Sequence, residues 1–340
     1  MQAGACLGNN LRHAVVLTTT ILAANATFAH HSAIRFDRER VVPVQGTVTR
    51  YDWGSPHVYL YVEDASNVEW QLEGASPQRM ARLGWSVDSF APGDLVNVRA
   101  NPDANPTNAH GLLLSAETPD GVALSSRRTG LPQSTDAVVG ASDLGGVWGG
   151  ESSFVDALFA ALEDHPLTDK GRIAKTEYEE SMNPVVDCVA FPTPFIVAAN
   201  ATYVNELELG DDVILFRSEF YNAERTIYMD GREHPENGER TNQGHSIGWW
   251  EEDTLVIDTA LFSESRAPFP TIGIPSGTQK HVVERYTLTE DGTRAMVETR
   301  TEDPEYLAEP LLAEFVWIYS PHFELLRFDC DLEVARRFTR

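Results

Sequence analysis

From Val42 to Tyr319 the apolar residues of this chain recur mainly at every second position, in short runs broken by turn formers. Alternation with period two marks half-buried strands, so the chain must build sheets and then close or cover their edges. Val42-x-Val44-x-Gly46-x-Val48 opens the series, and His57–Glu63 and Val68–Glu73 repeat it around the turn Asp64-Ala65-Ser66-Asn67. Ser76–Leu83 reads as a short helix, with Ser76 at its N-cap and Pro77 at its first position. Pro92-Gly93-Asp94 turns the chain into a strand from Leu95 to Arg99, and Gly111–Ser115 closes the set. Such a run over residues 30–124 predicts a small OB-like barrel.

Residues 125–142 are polar, contain Gly, Pro and Ser, and lack periodicity, as a linker does. Residues 143–340 predict a second domain. Phe154–Leu162 and Thr168–Met182 read as helices; from Tyr203 the pattern is antiparallel strand. Strands are expected at Val213–Phe220, Arg225–Met229, His245–Trp250, Thr254–Thr259, Phe315–Tyr319 and Glu324–Phe328. His281–Thr289 and Thr293–Thr301 form a hairpin around Asp291-Gly292. The expected fold class is mainly β: an OB-like barrel, then an antiparallel lipocalin-like barrel with short helices.

The start of the chain bears on where it works. Arg12 and His13 precede an apolar run, Ala14–Ala24, and small residues follow to Ala29. The run is too short for a bilayer span, which takes about 20 residues, and has the layout of a signal peptide over residues 1–29. Cleavage after Ala26 and after Ala29 both fit. The expected location is periplasmic or secreted, with no stable membrane insertion once the signal is removed. Acids outnumber Lys and Arg by 51 to 26, a net charge of −25, which makes nucleic acid a poor partner. Cys6 leaves with the signal; Cys188 and Cys330 remain and most simply form one disulfide in an exported protein.

His30-His31-Ser32, Gly46-Thr47-Val48, Trp53-x-x-Pro56-His57-Val58, Gly84-Trp85 and Pro92-Gly93-Asp94 together resemble a family of exported bacterial domains of uncharacterised function. Ser55 stands where that family usually has Asn. The second half is similar to exported bacterial lipocalin-like proteins with three blocks, here Tyr228–Pro235, Gly244–Glu251 and Asp253–Thr259. The Cys-x-Pro of that group is absent at Cys188-Val189-Ala190. Neither resemblance implies an activity.

Two constellations could carry chemistry. If cleavage leaves His30 first, its amine and ring, with His31 and His57, form a set suited to copper. The second constellation surrounds Gly244–Thr259. If His245 faces the barrel lumen it meets Glu284 and Arg225, and a histidine beside a carboxylate can act as a general base. Asp230 would be an alternative acid, Arg232 would stabilise developing negative charge, and Arg225, Tyr228, His234, Trp249 and Trp250 would line a ligand pocket. Gly244-x-Ser246-x-Gly248 imitates a nucleophile elbow in letters but lies between strands, so it is set aside.

Three functions remain open. The first is an exported carrier that binds a small apolar or aromatic molecule in the C-terminal barrel. The second is an enzyme of isomerase, lyase or hydrolase type using His245 in the same cavity. The third is a copper-binding or copper-dependent oxidative protein built on His30.

Overall fold

The structure is a computed structural model that describes residues 35–126, 139–150, 162–198, 202–269 and 273–339. The expected signal peptide, residues 154–161 of the first expected helix and residues 127–138 of the linker lie outside these ranges, as do His30 and His31.

The N-terminal part is a five-stranded barrel. Strand β1 (Val42–Asp52) pairs with β2 (Tyr59–Asp64), and β2 continues to β3 (Glu69–Glu73). On its other side β1 pairs with β4 (Leu95–Pro102), which pairs with β5 (His110–Glu117). A parallel contact between β3 and β5, Gln71 opposite His110, closes the ring in the order 1-2-3-5-4 of an OB fold. The helix Pro77–Arg82 is capped by Ser76 as expected and drops Met80 into the core beside Val48, Leu60, Leu72 and Leu113. A short β6 (Ala123–Ser125), which the sequence pattern did not announce, extends β5.

The C-terminal part is a closed barrel of nine strands among the described residues. They are β7 (Gly146–Gly150), β8 (Asn205–Glu208), β9 (Val213–Ser218), β10 (Ala223–Tyr228), β11 (His245–Glu251) and β12 (Thr254–Ala260). A side hairpin, β13 (Ser265–Phe269) and β14 (Ile274–Ser276), leads to β15 (His281–Leu288), β16 (Arg294–Glu302) and β17 (Leu311–Tyr319). β17 returns to β7 and closes the ring.

Two features depart from the expected barrel. β10 and β11 run parallel, with Ile227 opposite Ser246, because residues 229–244 carry the chain back along the wall before β11 begins. A parallel pair needs a connection of about a dozen residues or more, and this segment supplies it. Second, Phe191–Ala198 is buried throughout and packs on the inward-facing residues. Trp317 Nε1 and Asn205 Nδ2 both donate to Val197 O, at 3.3 Å. Trp148, Phe216, Tyr286, Phe315 and Trp317 fill the interior around it.

The helix expected over Thr168–Met182 stops earlier, at Asp169–Thr176. Thr168 caps it, but Gly171 is its only buried residue, so no apolar face holds further turns against the barrel. The strand expected at Glu324–Phe328 does not form. Its amides bond side chains instead: Leu326 N donates to Glu219 and Phe328 N to Asn222, both at 2.8 Å. This tail lies against the OB barrel. Gln78 donates to Arg327 O, Asp331 N donates to Ser55 O, and Arg337 bonds Asp52 and the Tyr61 hydroxyl. Cys188 and Cys330 form the expected disulfide and fasten the tail to the C-terminal domain.

Candidate functional site

Three histidines, His234, His245 and His281, form a chain with Asp258 on the outer wall of the C-terminal barrel. β11 places it. Its residues alternate, so His245, Ile247 and Trp249 face outward while Ser246 and Gly248 face inward and are buried. Gly244 holds a left-handed φ of +74°, and a Cβ there would sit 2.7 Å from Ala260 O. A Cβ on Gly248 would meet Met229 Sδ at 2.7 Å, against the parallel neighbour strand. The two glycines of Gly-His-Ser-x-Gly therefore serve close strand packing. Ser246 is no nucleophile: its hydroxyl pairs with that of Thr259, 2.9 Å away, and both are buried.

His234, from the crossover segment, stands over this wall. Its Nδ1 is 2.9 Å from His245 Nδ1, and its Nε2 is 2.9 Å from Asp258 Oδ1. The same oxygen meets His281 Nε2 at 2.8 Å, and His281 Nδ1 lies 3.7 Å from Glu302. Asp258 and His281 reach the outer face from β12 and β15, whose inward neighbours Thr259 and Val282 are buried.

Proton bookkeeping follows from the partners. An ionised carboxylate only accepts, so both ring nitrogens facing Asp258 carry hydrogens. When the His234 ring is neutral its Nδ1 offers a lone pair, to which His245 Nδ1–H donates. That leaves the lone pair of His245 on Nε2. Partial burial, then the neighbouring His234 and Arg232, hold His245 below the ordinary histidine pKa. His281 is shifted up, first by its hydrogen bond to Asp258. Burial pushes the Asp258 carboxyl up, but the hydrogen bonds from His281 and His234 outweigh it and the net shift is down.

Tyr228 stacks on His245, with ring centroids 5.1 Å apart, and the Arg232 guanidinium lies 3.9 Å over the Tyr228 ring. Arg232 also grips Asp230, whose carboxyl that hydrogen bond pulls down to about 2. Five residues singled out in the sequence, Tyr228, Asp230, Arg232, His234 and His245, thus meet at one place.

Residues 19–113 match a family of unknown function (DUF6152). The match spans the OB barrel as far as Leu113 in β5 and ends before the histidine chain. No curated protein matches the chain.

The other sequence candidates lie elsewhere. Glu284 and Arg225 face inward and are nearly inaccessible, paired with each other and with the Tyr286 hydroxyl on Glu284. The barrel wall separates them from His245, so the lumen-facing arrangement expected for His245 with Glu284 does not occur. Trp250, on the opposite side of β11 from Trp249, is 46% exposed. His57 Nδ1 bonds Gly74 O at 2.8 Å and lies 3.4 Å from Glu73 in the OB barrel. Among the described residues no group of three or more His, Cys, Asp or Glu is arranged to hold a metal ion.

Asp258, His281 and Glu302 were not singled out by sequence. The available signal was parity: Asp258 sits two places beyond Val256 in a strand, and His281 opens the next one. Their meeting depends on the register of β12 with β15, which sequence periodicity does not give.

Proposed function

We propose that this chain is an exported enzyme acting on a small molecule by proton transfer, with His245 as the general base. The supporting observation is the contact chain from Asp258 through His234 to His245, which orients the ring and, with His234 neutral, puts the lone pair of His245 on Nε2. Residues from all three blocks noted in the second half converge there: Tyr228 to His234 from the first, His245 from the second, Asp258 from the third. The reaction class is hydrolysis, isomerisation or elimination, each of which begins when a base takes a proton. Arg232, 3.9 Å over the Tyr228 ring that stacks on His245, is the cation nearest this cluster that could face developing negative charge.

The carrier reading has less support, because aromatic side chains and the Phe191–Ala198 segment occupy the interior a ligand would need. Export is supported by the leader pattern and by the Cys188–Cys330 disulfide, a bond that persists in oxidising compartments.

Diethyl pyrocarbonate, which acylates an unprotonated imidazole nitrogen, tests the assignment without a known substrate. At pH 6 His245 should be carbethoxylated faster than His322, which lies beyond β17 with its ring 4.2 Å from that of Phe323, and His234→Ala should slow it. Equal rates for the two histidines, unchanged in the variant, would remove the special role of His245. In turnover assays on candidate substrates, His245→Ala should cost roughly 10²–10⁴-fold in kcat.

A further inference from the structure

Asp258 Oδ1 serves two imidazoles at once, His281 Nε2 at 2.8 Å and His234 Nε2 at 2.9 Å. A proton entering this cluster therefore has two rings to choose between, and the choice decides the tautomer of His245. On His234 the proton would occupy Nδ1, which stands 2.9 Å from His245 Nδ1. His245 would then accept at Nδ1 and carry its own hydrogen on Nε2, which leaves no lone pair there for a base. On His281 the same proton leaves His234 Nδ1 free to accept, and the lone pair of His245 stays on Nε2.

The surroundings favour His281. Its Nε2 faces Asp258 from β12 and its Nδ1 lies 3.7 Å from Glu302 Oε2 of β16, so a carboxylate stands at each end of the ring. His234, from the crossover segment, faces a carboxylate at one end and an imidazole at the other. An opposite charge within about 4–6 Å stabilises an imidazolium, and two do so more than one. The neighbouring cations leave this order in place. Arg300 of β16 holds the other oxygen of Glu302, Lys280 turns inward to Thr193 O, and Arg232 lies on the His245 side of the cluster. The upward shift of His281 and the downward shift of His245 agree with it. Once charged, His281 also repels a second charge on His234 across the shared oxygen, so the two rings titrate as a coupled pair.

We infer that His281 is a positioning residue for the base: it takes the first proton that enters the cluster, keeps His234 neutral, and so regulates whether His245 presents Nε2 as an acceptor. The inference rests on the acid–base reading of His245 and adds its regulation. With His281 in place the base stays available at pH values where Asp258 and His234 alone would already have switched it off.

Imidazole ¹⁵N NMR of the full chain, titrated from pH 8.5 down to pH 5, tests the order. His281 should gain its second hydrogen before His234 does. In His281→Gln, whose amide can still donate to Asp258 but carries no charge, His234 should protonate at a pH higher by about one unit. Carbethoxylation of His245 by diethyl pyrocarbonate should then fall off at a correspondingly higher pH. Glu302→Gln, which keeps the His281 ring and removes one of its carboxylates, should move the same midpoint in the same direction by less. A merely structural role for His281 would change stability and leave the His245 midpoint where it was. His234 protonating before His281 in the wild type, or a His245 midpoint unmoved in both variants, would overturn the inference. The two readings fail separately. The expected proton order with a His245 no more reactive than His322 removes the base alone; a reactive His245 with His234 protonating first removes the role of His281 alone.

Discussion

The Nδ1 atoms of His234 and His245 stand 2.9 Å apart, a contact that holds only while one of them lacks a hydrogen. Protonating both rings would set two N–H groups against each other. The pair therefore resists full protonation, in keeping with the downward shift of His245. For a histidine shifted down, the unfolded chain binds more protons near pH 6.5, so this contribution to stability is present above that pH and is lost as pH falls.

His281 works in the opposite direction. Its folded pKa lies above the unfolded value near 6.5, so its contribution is complete below that pH and fades as pH rises through the elevated value. His281→Gln should therefore cost most stability on the acid side and converge with the wild type in alkali. Urea denaturation between pH 5 and pH 9 measures this; a loss independent of pH would count against the Asp258–His281 ion pair.

The two barrels are tied by a buried ion pair. Arg82 of the OB helix donates two hydrogen bonds to Glu219, at 2.7 and 2.8 Å, and Glu219 is 1% exposed. Arg82→Met leaves a buried carboxylate without its cation and should cost about 3–5 kcal/mol. The double variant with Glu219→Gln, whose amide oxygen can still accept from Leu326 N without a buried charge, should recover part of that loss. Chemical denaturation of the three proteins gives the comparison, and a single variant as stable as the wild type would show that the pair does not join the domains.

Lys280 lies inside the C-terminal barrel, where it donates to Thr193 O at 2.7 Å, and burial pulls its ammonium down to about 7. The unfolded value is near 10.5, so between these limits the unfolded chain binds more protons and stability rises with pH. Lys280→Met should flatten the stability profile from pH 7 to pH 10. A profile as steep as the wild type's would assign that slope to other groups.

Local chemistry was legible in the sequence where it sets local structure. Ser76 and Thr168 cap the helices they were expected to cap, and period two located most strands of both barrels. Long-range pairing was less legible. Nothing local tells Ile227 to run parallel with Ser246, and the buried Phe191–Ala198 segment has no repeating pattern to mark it. The candidate site divides the same way. Tyr228, Asp230, Arg232, His234 and His245 stood out as a charged turn beside a strand. Their side of the wall was not legible, because alternation distinguishes the two faces of a strand without saying which is the lumen. That ambiguity paired His245 with Glu284 instead of Asp258.

The most direct measurement is ¹⁵N NMR of the imidazole rings across pH, in the wild type and in His234→Ala. His245 should carry its hydrogen on Nδ1, show an unprotonated Nε2, and titrate below the ordinary histidine value of 6.5. Loss of His234 should abolish that tautomer preference. A His245 that carries its hydrogen on Nε2, titrates near 6.5 and ignores the removal of His234 would contradict the relay and the acid–base function built on it.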